Sequence, residues 1–417
     1  MRFANSNQTD LFLKTHQNSE SPDSILPQTS DFDYYLPNEA IALFPLEERD
    51  ASKLLIYRKG QITHSKFRQI PDFLPSESLL VFNNTKVLPA RLHFLRKTGS
   101  RIELLIIEHS TEKVDDKMQL VCRCMVGNKK KWSENEFLES KISRDGKEIT
   151  LITSWKDRET NLVVLSWQPE SYSFFEIIDL FGEMPIPPYL NREANESDKS
   201  DYQTVYASKE GAIAAPTAGL HFTDSVLLDL ESRKIETAQL TLHVGLGTFL
   251  PMKSGKVEEH KMHEEEVIIP LEVLNKIAHH KGPIIAVGTT SIRSLESLYW
   301  LGSELMTSGS FPFELQSEDP YKWSSRKFTR QEIALCILEY ARKSTLNEIR
   351  FYTRLFIMPG YSFKVVDGLI TNFHQPKSTL LVLIASFIGS DWKKIYQEAL
   401  DQNYRFLSYG DSSLLLP

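Results

Sequence analysis

The chain predicts an α/β fold with a smaller β-barrel inserted into it, and three features of its 417 residues carry that expectation. Apolar runs that read as buried strands end in Gly, Asn or Thr bends and lead into helix starts, as in PIIAVGTTSIRSLESLYWL. Between about residues 92 and 168 the pattern changes to short strand-like runs, IELLIIE, EITLITSW and NLVVLSW, separated by polar turns. The length also exceeds what a single core supports, so more than one core is expected.

The expected order begins with a loose, disordered tail over 1–30, rich in Asn, Gln, Ser and Asp and without the layout of a signal peptide. A first part of the α/β domain follows over 31–91, then the inserted barrel over 92–168, then the second α/β part over 169–417. LLIYRKGQITH reads as strand, Gly turn and strand, and SLLVFNNTKVLPARLHF as a buried strand leaving through an Asn-rich bend. FTDSVLLDLESRK starts a helix at Thr223 or Asp224. In ETAQLTLHV the period of two puts Ala238, Leu240, Leu242 and Val244 on one face, and His243 on the other with Gln239 and Thr241. FKVVDGLITNFHQPKSTLLVLIASFIG reads as two strands around Asp367-Gly368 and a core helix beginning near Pro376. Its apolar run, 379–389, is too short to span a bilayer.

Composition narrows the function class. Cys122, Cys124 and Cys336 fit neither a zinc ribbon nor a redox pair, and a reducing cytoplasm is the expected setting. A net charge of −7 argues against nucleic-acid binding over the whole surface and leaves room for a local basic patch. Such a patch is written into residues 86–101, where Lys86, Arg91, Arg96, Lys97 and Arg101 occur with no acid, and again at Lys129, Lys130 and Lys131.

Chemistry-bearing residues cluster at strand-to-helix junctions, where α/β folds place their sites. GAIAAPTAGLHFTD combines small residues that permit close approach, including Thr217 and Gly219, with the ring of His221. LHVGLGTF sets His243 at a strand end beside Gly245, Gly247 and Thr248, without the third glycine of a dinucleotide fingerprint. TNFHQPKST repeats the arrangement with Asn372 and His374. The bend GTTS, with Thr289 and Thr290 ahead of Arg293, serves either as a plain helix cap or as a cradle for a carboxylate or phosphate. EEHKMHEEE lacks zinc-protease spacing and reads as a solvated charged face, so no metal is assigned.

The segments NNTKVLPARL, MPIPPYLNR, DYQTVYA, GAIAAPTAGLHFT, LTLHVGLGTFLP, HKMHEE, VGTTSIRSLES, PGYSFKVVDGLITNFHQPKSTLLVLIASFIG and YRFLSYGDSSLLLP together resemble the S-adenosylmethionine:tRNA ribosyltransferase-isomerase family of queuosine biosynthesis, in order from about residue 31 to the end. The resemblance implies a large distorted α/β barrel with a smaller inserted β-barrel and a site between them. It implies transfer and isomerisation of the ribosyl moiety of S-adenosylmethionine onto the 7-aminomethyl group of 7-deazaguanine at the tRNA wobble position. Adenine and methionine leave and epoxyqueuosine-tRNA remains. The implied partners are that tRNA and S-adenosylmethionine, which acts as ribosyl-donor substrate; no prosthetic group, metal or membrane is implied, and a cytoplasmic monomer is expected. Two departures stand out: NNTK replaces the family pattern N-D-T-R at Asn84 and Lys86, and residues 300–350 look longer than typical, as an added helical decoration.

On that resemblance His221, His243 and His374 are the catalytic candidates, because the sulfonium acidifies the ribose C5′ hydrogens and departing adenine needs a proton donor. His221 and His243 are expected to transfer protons or face adenine, and His374 with Asn372 to contact ribose or nucleobase. Thr289, Thr290 and Arg293 are expected to hold the methionine carboxylate. Asp411 in YGDSS is expected to pair with an amine or a ribose hydroxyl, and the basic stretches with tRNA phosphates. A non-catalytic RNA-binding protein on the same scaffold is the alternative, followed by a metal-dependent nucleoside or amide hydrolase.

Overall fold

Alternating apolar strands give this chain two sheets, each with its own core. The structure, a computed structural model, describes residues 27–114, 117–245, 251–253 and 255–417. The first segment holds a hairpin of β1 (Lys53–Arg58) and β2 (Gln61–Lys66), a single turn α1 (Ile70–Phe73), then β3 (Leu79–Asn83), β4 (Thr85–Val87) and β5 (Arg91–Leu95). The second holds β6 (Arg101–Val114), β7 (Lys117–Gly127), β8 (Leu138–Arg144), β9 (Lys147–Asp157), β10 (Leu162–Gln168), α2 (Phe174–Phe181) and β11 (Gly182–Glu183). The third opens with α3 (Asp198–Asp201), β12 (Lys209–Ala212), α4 (Asp224–Ser232), β13 (Glu236–Leu242) and β14 (Glu265–Pro270). It goes on through α5 (Leu271–His279), β15 (Ile284–Val287), α6 (Thr289–Ser308), β16 (Glu314–Leu315), α7 (Asp319–Lys322) and α8 (Arg330–Lys343). It ends with β17 (Glu348–Thr353), β18 (Gly368–Asn372), α9 (Thr379–Ile388), α10 (Asp391–Asp401) and β19 (Ser412–Leu416).

The large sheet is mixed and ten-stranded, in the order β16-β17-β14-β13-β3-β15-β18-β19-β1-β2. Its centre, β13, β3, β15 and β18, is parallel throughout. The middle three strands are buried on both faces, which is why they read as unbroken apolar runs. Leu79 and Val81 pack with α5, α6, α8 and α9, while Leu80 and Phe82 pack on the other side with Val226 and Leu230 of α4. Thr223 caps α4 by accepting the Val226 N–H, as expected.

The second sheet is seven-stranded and antiparallel, in the order β11-β5-β6-β7-β10-β9-β8. It curls so that β8 returns beside β5, although no ladder joins the two. Leu92, Phe94, Leu104, Trp132, Leu151 and Val163 fill its core, closed by Ile177 and Ile178 of α2. Cys122 and Cys124, two apart on β7, both point into that core, and burial pushes the Cys122 thiol up to about 12.

Three expectations change. Residues 1–26 of the tail lie outside the described residues, but Gln28 already bridges Lys256 and the Thr29 amide donates to Gly255 O, so the expected tail does not extend to residue 30. The stretch near 300–350 is no decoration: Ile333, Ile337 and Ala341 of α8 sit in the main core and β17 belongs to the large sheet. The first of the two strands expected around Asp367 does not form, because its backbone is claimed by a buried carboxylate. Glu296 of α6 accepts the N–H groups of Lys364, Val365 and Val366 and the Tyr361 hydroxyl, at 2.8 to 3.2 Å. Three amide donors thereby find an acceptor without a neighbouring strand. Glu296→Ala removes that acceptor, and we expect about 3 kcal/mol or more of lost stability in denaturant unfolding, with Glu296→Gln falling between the variant and the parent.

Candidate functional site

The carboxyl ends of the four parallel strands bring the sequence-selected junctions to one edge of the sheet. At the end of β3 the side chain of Asn83 is completely buried and fully paired. Its Nδ2 donates to Leu242 O and to Thr290 Oγ1, at 3.0 and 3.2 Å, and its Oδ1 accepts from the amides of Leu242 and Thr85. Thr85 in turn places Oγ1 2.9 Å from Nδ1 of His243. The His243 ring is half-buried, and burial holds its pKa below the ordinary imidazole range, with Arg350 acting the same way against Glu266. Gly211, at φ +144°, passes so close that a Cβ there would stand 2.8 to 3.1 Å from the His243 ring.

His243 lines a cleft of about 690 Å³ between the two sheets. Ile106, His109 and Phe174 come from the second sheet and its helix, and Gly211, Gly245, Glu266 and Tyr352 from the other wall. The Asn84 departure is accommodated beside it: Oδ1 accepts from Thr241 Oγ1 at 2.7 Å and Nδ2 donates to Gln239 Oε1 at 3.3 Å. Lys86, the other departure, pairs with Glu210 at 3.0 Å.

Gly288, at φ +89°, turns the chain from β15 into α6, whose first turn carries Thr289 and Thr290 with N–H groups that have no acceptor within the helix. Arg293, one turn on, is buried; it pairs with Glu265 and donates Nε to Leu355 O at 3.1 Å. Its Nη2 has no partner among the described residues. Arg293 and Glu265 line a second cleft with Gly245, His260, His263 and Thr379. EEHKMHEEE is exposed at Glu258, Glu259, Lys261, His263 and Glu264, as a solvated charged face is, and turns inward at Glu265, which is buried. Arginines meet its last three carboxylates: Glu264 pairs with Arg354, Glu265 with Arg293 and Glu266 with Arg350. Among the described residues no group of three His, Cys, Asp or Glu side chains is arranged to hold a metal.

At β18 the chain makes a third cluster. His221 is buried, with Nδ1 2.9 Å from Ser52 Oγ and Nε2 3.1 Å from Asn372 Nδ2, and its ring lies against Phe67. Burial, with Arg405 and Arg49 nearby, holds its pKa down at about 3, so the ring stays neutral. Burial also takes His374 down to about 3, with Nε2 2.9 Å from Thr371 Oγ1. Thr217, Asn372, His374 and Ser378 line a third cleft, in which Asn372 Oδ1 has no partner among the described residues. Asp411 is not in it: its oxygens accept the amides of Lys53 and Arg405, tying β1 to the turn before β19. Gly219 serves packing, since a Cβ there would meet the Tyr206 hydroxyl at 1.9 Å. Gly247 and Thr248 lie outside the described residues.

The basic stretch is compensated by acids from elsewhere in the chain. Arg91 faces Glu103, Arg96 pairs with Glu136 and Arg101 with Glu193. Lys129 donates to Asn161 Oδ1. Lys97, Lys130 and Lys131 are exposed and have no ion pair among the described residues. A larger groove, about 870 Å³ along α4 and β13, holds none of the junction residues. Sequence reading missed Asn83, Thr85, Ser52, Gly211 and Glu265; only the paired asparagines closing an apolar strand gave a signal.

Residues 29–415 match the family described as Queuosine biosynthesis protein. The S-adenosylmethionine:tRNA ribosyltransferase-isomerase of Halothermothrix orenii is 39% identical over 397 residues, covering 93% of this chain and 100% of its own. The protein of the same name from Legionella pneumophila (strain Corby) is 38% identical over 392 residues, covering 93% and 99%. A crystal structure of S-adenosylmethionine tRNA ribosyltransferase from Thermotoga maritima is 29% identical, with a TM-score of 0.44, over 93% of this chain and 100% of that one. Matched along nearly its whole length, the chain belongs to the queuosine biosynthesis protein family.

Proposed function

We propose that this chain is an enzyme that transfers and isomerises the ribosyl moiety of S-adenosylmethionine onto the 7-aminomethyl group of 7-deazaguanine at the tRNA wobble position, releasing adenine and methionine and leaving epoxyqueuosine-tRNA. The names and full-length coverage of the relatives support the transferase-isomerase activity. The observation that carries it onto this chain is the placement of His243, of Arg293, and of Asn372 with His374 on three adjoining clefts at one sheet edge; Thr289 and Thr290, in the α6 turn just before Arg293, line none of the three. A protein that only bound RNA has no use for that placement.

His243 is the proton-transfer group. Its ring reaches the inter-sheet cleft, Thr85 orients it, and its lowered pKa keeps it a neutral base. His221, enclosed with both nitrogens engaged, acts at one remove, and His374 lines the third cleft with Asn372 and Thr217. The free Nη2 of Arg293 and the N–H groups of Thr289 and Thr290 suit the methionine carboxylate. Gly245 lines both neighbouring clefts, and Gly247 and Thr248 are two and three positions further along the sequence. Residues 31–90 and 184–417 form the catalytic α/β part, a distorted barrel. The inserted unit, expected over 92–168, takes in the whole second sheet and α2, residues 91–183, and bears Arg91, Arg96, Lys97, Arg101 and Lys129 to Lys131. Two substrates that meet inside one chain, and three free thiols, suit a cytoplasmic monomer.

The deciding experiment measures adenine release with tRNA carrying 7-aminomethyl-7-deazaguanine beside tRNA carrying guanine; release and mass gain with the modified tRNA alone are expected. Equal release from both, or none from folded protein, overturns the proposal. His243→Ala should lower kcat by at least about a hundredfold with little change in melting temperature. Because the His243 pKa lies below the usual ~6.5, kcat/KM should stay level as pH falls through that value and drop only below it. In tRNA binding, Lys97→Ala, Lys130→Ala and Lys131→Ala should each reduce the slope of log K against log salt by about one. Arg96→Ala and Arg101→Ala, already matched by carboxylates, should change that slope less.

A further inference from the structure

The third cleft contains an acceptor whose orientation is set from behind. Asn372 is buried, lines the third cleft, and has its amide held on one side only: Nδ2 donates to Nε2 of His221, while Oδ1 meets nothing among the described residues. For Nε2 to accept, the ring hydrogen must sit on Nδ1. There it meets Ser52 Oγ at 2.9 Å, and the Arg49 carbonyl in the turn leading to Ser52 favours the same ring N–H. Phe67 fixes the ring plane, and burial keeps the imidazole neutral, so Nε2 remains an acceptor.

The cleft that Asn372 lines has room for about 40 Å³, enough for a group or two the size of water, such as an exocyclic amine, and not for a whole ring system. Beside the apolar Leu380 and Leu407 its walls include the neutral His374 and the polar Gln375, Thr217 and Ser378, and no charged side chain lines it. An ammonium group would be left there without a counter-ion, whereas a neutral aromatic amine satisfies the acceptor. We propose that Ser52 and His221 form a positioning relay that holds Asn372 Oδ1 toward the cleft, and that Asn372 thereby selects the exocyclic amine of the adenine in the donor substrate. This rests on the activity proposed above and names the residue that reads the base of the donor.

The relay makes an unusual demand that a structural role would not. Without the Ser52 hydroxyl the Nδ1–H keeps only the Arg49 carbonyl as acceptor, the Nε2–H tautomer gains weight, and in that fraction the Asn372 amide turns over and Nδ2 takes the place of Oδ1. Selectivity then shifts from an amino toward an oxo group. The test compares S-adenosylmethionine with its analogue bearing hypoxanthine in place of adenine, using tRNA with the 7-aminomethyl base, and reads kcat and KM separately. The parent enzyme should show a KM at least about tenfold higher for the oxo analogue. Ser52→Ala should narrow that ratio at least about fivefold, and Ser52→Thr, which restores a hydroxyl, should recover it. Asn372→Leu gives an independent arm, because removing the acceptor should raise KM for S-adenosylmethionine to that of the analogue. Equal KM values for the two donors with the parent enzyme would mean that Oδ1 serves a buried water only, and would overturn the proposal. So would a Ser52-sensitive preference that follows removal of the methionine α-amino group instead of the base amine. If the parent enzyme releases no adenine with the modified tRNA, it is the activity itself that fails, a result distinct from these.

Discussion

One buried amide holds the site together. Asn83 uses all four of its hydrogen-bonding positions at the point where three elements meet: the end of β13, the start of β4 and the first turn of α6. Each partner contributes something different. Leu242 fixes where β13 stops and so where His243 leaves the sheet, Thr85 carries the hydroxyl that orients the ring, and Thr290 begins the helix that bears Arg293 and Glu296. A side chain with only acceptors or only donors cannot serve this junction, because Leu242 presents both a carbonyl and an N–H. In a dry location an unmade bond of this kind costs about 1–3 kcal/mol, so the amide is held by what it would lose as much as by what it gains.

The electrostatics of the edge follow from burial and local cancellation. His221 and His374 are kept neutral by desolvation, and neutral imidazoles are the ones able to accept a hydrogen bond at one nitrogen while donating at the other. Arginines and glutamates enter as pairs, and the pairing is not symmetrical in function. Glu266 and Glu264 face exposed or half-exposed guanidinium groups, which solvent screens. Arg293 and Glu265 are both enclosed, and the fork of Arg293 keeps one nitrogen unspent. Burying an ion pair while leaving a donor open is a costly arrangement for stability alone, and it makes sense where an anion completes the set.

Period and junction logic read much of this from the sequence. The alternation in ETAQLTLHV placed Ala238, Leu240 and Leu242 in the core and His243 opposite, and the apolar runs of β3, β15 and β18 identified the buried centre of the large sheet. What was illegible depended on contacts between distant positions. Nothing in the neighbourhood of His221 says that Ser52 and Asn372 will take its two nitrogens, and nothing in residues 86–101 says that Glu136, Glu193 and Glu210 will neutralise them. The absent strand before Asp367 has the same origin: local propensity favoured a strand, and a carboxylate on α6 won the amides. The Asn84 and Lys86 departures become ordinary once their partners are known, since a neutral amide suits Thr241 and Gln239, and Lys86 has Glu210.

The geometry also bears on how two very unequal substrates meet. The inter-sheet cleft draws walls from both sheets and is the roomiest of the three, as entry of a base attached to a polynucleotide requires. The clefts beside Arg293 and Asn372 lie within the large sheet's own elements and share Leu380. Gly245 belongs to the walls of the inter-sheet and Arg293 clefts alike, and among the described residues, its chain neighbours aside, no atom stands within 4 Å of where its Cβ would be. On the proposed reading the donor substrate lies along the rigid carboxyl edge, and the tRNA base comes to it from between the sheets. Precision is demanded there of the parts that cannot move, β3, β13, β15 and β18, and the second sheet need only bring the base within reach of His243.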